Sequence, residues 1–426
     1  MNAPLPRRLL LACLIAVSTA FAAASPSGDE IYPRGKTFPF MGYSGAPQRD
    51  ALLGFSVAGP SYGADQNIPL AAAESAGLSF PYKIGLKMDF HAKAPDKALQ
   101  LSAEEIKKQI TEQVAKVANR KSICWWYLGP EELRWWRKNE MDYMAAAVEA
   151  IRAADPLNRP IWMYEPNFRD AKSLAKTGRF QDIIGKGFYV NLAGYQDHRI
   201  WVRWSMDQQT KAITELAKEE GPGGRHRIPI VLPELCKDPE DPALDHLIPR
   251  WVRHDVYLGL MSGGKGVAIW SLFQRAEVKR TWPLWFDAYS RAATELTGPL
   301  QLGQVFLFGK KSNKFPVSVV SGPKELEVTK GAKKELEAGT TSKNEKQEAR
   351  IIYPSLCVSE YEHEGATYLF LCNSSSTELI AYQSRELTDE WDLVDVFGAR
   401  GHNRKNNRLY GYLEPLGVRC YRVTAR

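Results

Sequence analysis

The chain is poor in the residues that build metal and redox centres. Its six cysteines include no Cys-x-x-Cys pair, which excludes zinc knuckles and thiol redox motifs. Its seven histidines gather at no single stretch. No block of like charge stands out, and a formal charge of +7 is spread along the sequence, so a nucleic-acid-binding arm is not expected. No glycine-rich phosphate loop follows any early strand-like run, and no cofactor is expected. Beyond the N-terminus no apolar run is long enough to span a bilayer.

What the N-terminus does carry is a targeting signal. Arg7 and Arg8 precede an apolar run from Leu9 to Val17, followed by Ala20-Phe21-Ala22-Ala23-Ala24-Ser25. A basic segment, a short apolar core and small residues describe a secretory signal peptide over 1–24. Its removal takes away Arg7 and Arg8, leaving about +5 on a secreted or periplasmic protein. Five cysteines then remain, and export permits disulfides. A two-residue turn at Glu364-Gly365 would set Cys357 opposite Cys372, either as a disulfide or as buried thiols.

From Thr37 to Phe273 eight strand-like runs alternate with helix-like ones: 38–43, 54–58, 82–90, 123–128, 160–164, 183–190, 228–232 and 266–272. Short apolar runs bounded by turn residues and separated by helices predict buried parallel strands. Helices are predicted at 102–118, 140–154, 206–220 and 242–260, the first opened by a Ser102/Glu105 capping box. Eight alternations in roughly 240 residues fit a (β/α)8 TIM barrel over 25–300. Residues 301–350, rich in Lys, Glu, Ser and Gly, are expected to form a linker or mobile insertion. Period-two runs from Ile351 onward predict a small antiparallel β-sandwich over 351–426.

Two strand ends carry acids. Ile123 to Leu128 runs into Gly129-Pro130-Glu131-Glu132, and Ile228 to Leu232 into Pro233-Glu234. Carboxylates at the C-terminal ends of such strands sit where this fold places its chemistry. Cleaving an acetal needs one carboxylic acid to protonate the leaving oxygen and a second carboxylate to attack or to activate water. Trp125, Trp126 and Tyr127 supply apolar surroundings that raise the pKa of an acid at Glu131, with Glu132 as the fallback. The same Gly-Pro-Glu-Glu also reads as an ordinary helix start.

Trp126-Tyr127-Leu128-Gly129-Pro130-Glu131, Pro229-Ile230-Val231-Leu232-Pro233-Glu234 and Gly263-Gly264-Lys265-Gly266-Val267-Ala268-Ile269-Trp270 together resemble clan A of the glycoside hydrolases. The resemblance implies Glu131 as acid/base, Glu234 as nucleophile, retention of configuration and Trp270 as the floor of the sugar site. Tyr189 would hydrogen-bond the nucleophile. The clan usually has asparagine where Pro130 stands, on a contact to the sugar 2-hydroxyl, so a barrel that binds carbohydrate without cleaving it is the first alternative. Asp89, His91, Tyr164, Glu165, Asn191 and Trp201 are further candidate contacts to an oligo- or polysaccharide. Asp89 and His91, two apart on one strand, also raise a metal-dependent hydrolase as a more distant alternative.

Overall fold

The computed structural model describes residues 37–43, 46–63, 65–86, 101–190, 198–333, 346–386, 391–398, 402–405 and 407–425. The expected leader, and Asp89, His91 and Asn191, lie outside them.

Strands β1 (Phe40–Gly42), β2 (Phe80–Gly85), β3 (Ile123–Gly129), β4 (Ile161–Glu165), β5 (Ile183–Lys186), β6 (Ile228–Pro229) and β7 (Val267–Ile269) run parallel. The second of the eight expected strands shrinks to Val57, whose N–H donates to the Phe40 carbonyl at 3.2 Å and which bridges to Ser79. A bridge from Val231 to Val267 and the β1–β7 pair close the ring. This is the (β/α)8 barrel.

Helices α1 (Pro47–Leu52), α2 (Asn67–Ser75), α3 (Ala103–Ala115), α4 (Lys138–Ala154), α5 (Ala171–Gly178), α6 (Ile200–Glu220), α7 (Ile248–Met261), α8 (Trp282–Thr297) and α9 (Leu302–Phe308) follow in order. The capping box forms: Glu105 N–H donates to Ser102 Oγ at 3.2 Å, and Ser102 N–H to Glu105 Oε2 at 2.8 Å.

Strand residues alternate between two cores. Trp125, Tyr127, Trp162, Tyr164, Ile230, Leu232 and Ala268 fill the barrel interior. Trp126, Leu128, Ile161 and Met163 point outward against α3 and α4. Gly185 keeps the interior closed, because a Cβ there would meet Ile230 Cγ2 at 2.3 Å.

The described residues of the region expected as a linker are mostly strand. Strands β8 (Lys310–Ser312), β9 (Val317–Ser321), β10 (Glu325–Lys333) and β11 (Lys346–Pro354) occupy it, so the antiparallel part begins at Lys310 rather than Ile351. Strands β10 and β11 pair as a long arm lying against α6. Leu326, Val328 and Ile351 are buried there, and the Tyr353 hydroxyl donates to Asp207 at 2.7 Å. These few apolar residues among many polar ones suffice because the helix supplies the rest of the core.

Strands β12 (Leu356–His363), β13 (Ala366–Asn373), β14 (Ile380–Glu386), β15 (Trp391–Asp395), β16 (His402–Lys405), β17 (Arg408–Leu413) and β18 (Val418–Ala425) complete the sandwich. One sheet has the order β15-β18-β13-β12-β8, the other β16-β17-β14-β9. Glu364 at φ 47° and Gly365 at φ 76° make the tight hairpin turn that the sequence predicts. Cys357 therefore faces Cys372, both as free buried thiols. No helix among the described residues is long and apolar enough to cross a membrane.

Candidate active site

The C-terminal mouth of the barrel is a bowl of aromatic rings. Tyr43 from the end of β1 stacks on Tyr62 from the loop after Val57, with centroids 5.6 Å apart. Tyr62 packs on Phe273 at 5.8 Å, and its hydroxyl accepts from Trp270 Nε1 at 3.0 Å. Trp270 follows β7 and stacks on Tyr189 at 5.2 Å, which in turn lies parallel to Tyr164 at 6.5 Å. Trp270 is half-buried and Tyr62 is exposed, so this pair faces solvent. Such faces match the apolar C–H faces of sugar rings, and their polar edges bond hydroxyls.

Glu131 stands at this rim. The chain from Pro130 to Arg137 bends rather than coils, and α4 begins only at Lys138, so Glu131 is not a helix-start residue. The Tyr127 hydroxyl donates to Glu131 Oε2, and Tyr127 shares a 3.0 Å hydrogen bond with the buried Tyr43 hydroxyl. Burial pushes the Glu131 carboxyl above its ordinary pKa, with the Tyr127 hydrogen bond and the Lys83 charge pulling partly back. Burial likewise holds Tyr43 and Tyr127 well above the usual phenol range, and the Glu131 charge adds to it. The next residue, Glu132, has left-handed backbone (φ 60°), rare for a residue with a Cβ, and its N–H donates to the Tyr164 carbonyl at 3.1 Å.

Glu234 has different company. Its backbone bridges to Trp270, its carbonyl accepts from the Tyr289 hydroxyl at 2.6 Å, and the residue is 2% exposed. The Glu234 charge is felt at Arg199, Cys236 and Tyr289. The Glu131 charge bears chiefly on Tyr43, Tyr62, Tyr127, Tyr164 and Glu132. The two sets adjoin at Tyr164, on which both Glu131 and Cys236 bear. The Tyr189 hydroxyl makes no hydrogen bond to Glu234.

Two expected sugar contacts are corrected. Glu165 is fully buried on the outer face of β4, where it pairs with Arg169 and accepts from Thr177 Oγ1 and Gln181 Nε2, each at 2.6 Å. Strand alternation turns Tyr164 into the barrel and Glu165 away from it. Trp201 is no cleft wall either: its ring is buried in α6, stacked on Trp204 at 4.1 Å. Apolar residues on both sides of Trp201 mark a core helix, a sign that outweighs its place after β5, the sixth of the expected strands. Tyr164, Tyr189 and Trp270 do line the mouth; Tyr43, Tyr62, Lys83 and Arg275 join them without having been singled out. Tyr62 sits in an irregular loop with no periodic signal.

A second polar cluster lies at the seam between barrel and sandwich. Asp255 on α7 accepts from Arg199 Nε at 2.8 Å and meets His254 Nδ1 at 2.9 Å, while His254 Nε2 meets Ser374 Oγ at 3.1 Å. The Ser–His–Asp order is that of a nucleophilic triad. All three residues are buried, at 2%, 0% and 4% exposure, so no substrate reaches the hydroxyl and the cluster fastens α7 to β13 instead.

No protein-family model matches the chain, and no curated protein matches it in sequence. Solved structures do match in fold. An α-amylase from Geobacillus thermoleovorans complexed with acarbose superposes with a TM-score of 0.51 at 8% identity, over 92% of this chain and 99% of that one. An Anoxybacillus α-amylase gives 0.52 at 8% identity, over 92% and 98%. An α-amylase from H.orenii gives 0.51 at 10%, over 91% and 99%. The likeness is one of fold: a barrel followed by an antiparallel sandwich, the architecture of these glycoside hydrolases.

Proposed function

We propose that the chain is an exported glycoside hydrolase that cleaves a glycan at the barrel mouth, with Glu131 as its general acid. The observation that carries this is Glu131 itself. It is a carboxyl with a raised pKa, held by one phenolic hydrogen bond on Oε2 beside solvent-facing aromatic rings. That arrangement leaves Oε1 to carry a proton towards a bound glycosidic oxygen. Proton transfer to that oxygen breaks its bond to the anomeric carbon, and the leaving sugar departs as an alcohol.

The second carboxylate decides the stereochemistry. Attack by Glu234 on the anomeric carbon would form a glycosyl-enzyme, which water then opens with Glu131 as base, giving retention. A water activated by another carboxylate gives inversion. Pro130, standing where the resembled clan has asparagine, supports as a second reading a barrel that holds sugar without hydrolysing it.

The test is hydrolysis across a broad glycan panel, with the anomer of the first product followed by NMR. Cleavage that is lost in Glu131→Gln supports the proposal. Retention together with loss in Glu234→Gln assigns the nucleophile. Sugar binding with no cleavage on any member of the panel establishes the binding barrel instead.

A further inference from the structure

Most buried or half-buried arginines of the barrel are matched by an acid. Arg134 pairs with Glu140, Arg159 with Asp155, Arg169 with Glu165, Arg199 with Asp255 and Arg227 with Glu220. The mouth breaks this pattern. Lys83, on β2, holds its ammonium 5.9 Å from the Tyr62 ring centroid. Arg275, in the segment after β7, lays its guanidinium 4.7 Å from the Trp270 centroid. Its Nη2 donates to the Leu235 carbonyl, which occupies one of the five guanidinium donors. Among the described residues, no carboxylate comes within ion-pair distance of either cation.

These two cations bracket the pair of rings joined by the Trp270–Tyr62 hydrogen bond. The charges of Glu131, Arg275 and Glu132 all bear on the Tyr62 hydroxyl. Lys83 is within electrostatic reach of Glu131. When Glu131 carries the proton that an acid must donate, it no longer offsets Lys83. The rim then presents Lys83 and Arg275 where a sugar ring would stack, with Glu132 the acid that still bears on Tyr62. A neutral glycan gives two half-buried cations nothing to bond beyond hydroxyls, whereas an anionic substituent forms charge-assisted hydrogen bonds with both.

We infer that the glycan bound at this mouth is acidic, carrying a carboxylate or a sulfate on the sugar that stacks between Tyr62 and Trp270, with Lys83 and Arg275 as the specificity-determining residues. This rests on the mouth being the sugar site. The shared chemistry is a ring-borne anion; a uronate and a sulfate ester differ in geometry, and the experiment separates them.

Binding of polygalacturonate, of its carboxyl-reduced form, and of a sulfated and an unsulfated galactan would be measured by calorimetry with the full chain carrying Glu131→Gln. One of the two anionic polymers should bind at least about tenfold more tightly than its neutral counterpart, the worth of a single charge-assisted hydrogen bond. Added Arg275→Met or Lys83→Met should each remove that preference. Arg250→Met, on the exposed outer side of α7, removes the same charge from a basic protein and should leave the preference intact. Equal affinity for charged and neutral polymers overturns the inference while leaving the hydrolase standing. A preference that survives loss of both cations is non-specific polyanion attraction and overturns it too. Absence of binding to every polymer overturns the inference too, and the hydrolase is then decided by the broad glycan panel alone.

Discussion

The barrel mouth and the seam hold the same kinds of side chain, yet the seam uses up what the mouth leaves open. At the seam, Asp255 accepts from Arg199 and His254, His254 reaches Ser374, and nothing faces water. At the mouth, Glu131 accepts from one hydroxyl, Trp270 and Tyr62 reach solvent, and among the described residues no acid comes within ion-pair distance of Lys83 or Arg275. Glu165 makes the same point within one strand. Burial raises its pKa just as it raises that of Glu131, but three side chains satisfy its oxygens. A perturbed pKa marks a functional group only when acceptors remain and substrate has access.

Four perturbations sharpen this contrast. The largest effect is expected at the mouth: Glu131→Gln should lower kcat by about 10²–10⁴-fold, the usual worth of a positioned acid. Its unfolding midpoint should stay near that of the wild type. Asp255→Ala should do the reverse, costing about 3–5 kcal/mol in denaturant unfolding because it strands a buried guanidinium. Activity of the folded fraction should persist. Trp270→Ala should raise KM more than it lowers kcat, by the ~0.5–1.5 kcal/mol typical of an aromatic contact.

The smallest effect is a pH dependence at the seam. Burial holds the His254 pKa below its ordinary value, with Asp255 opposing. The unfolded chain therefore binds a proton that the folded chain refuses. Stability from this group is complete above about pH 6.5 and declines as pH falls through the window beneath it. His254→Gln should flatten that decline in unfolding experiments run from neutral to acid pH.

Much of this architecture was legible in the sequence, because apolar runs of the right length betray buried parallel strands whatever their partners. Seven of the eight runs became strands and the eighth a single bridging residue, Val57. The β10–β11 arm was not legible: among its described side chains the Lys- and Glu-rich strands bury Leu326, Val328 and Ile351, against a helix more than a hundred residues away. Within the site, Glu131 and Trp270 could be picked out because each ends a strand. Tyr62 and Arg275 could not, since loops carry no period that says which side chain turns inward. The fate of Glu165 depended on Arg169, Thr177 and Gln181, and no spacing rule reveals that such donors converge on one carboxylate.

The most direct test is a titration of the Glu131 carboxyl by NMR with carbon-13-labelled glutamate, assigned through Glu131→Gln. A midpoint clearly above the ~4.3 of an ordinary glutamate, falling back towards it in Tyr43→Ala where water enters the bowl, is the predicted result. A midpoint at or below the ordinary value would mean that Glu131 is a plain carboxylate at neutral pH and has no proton to give.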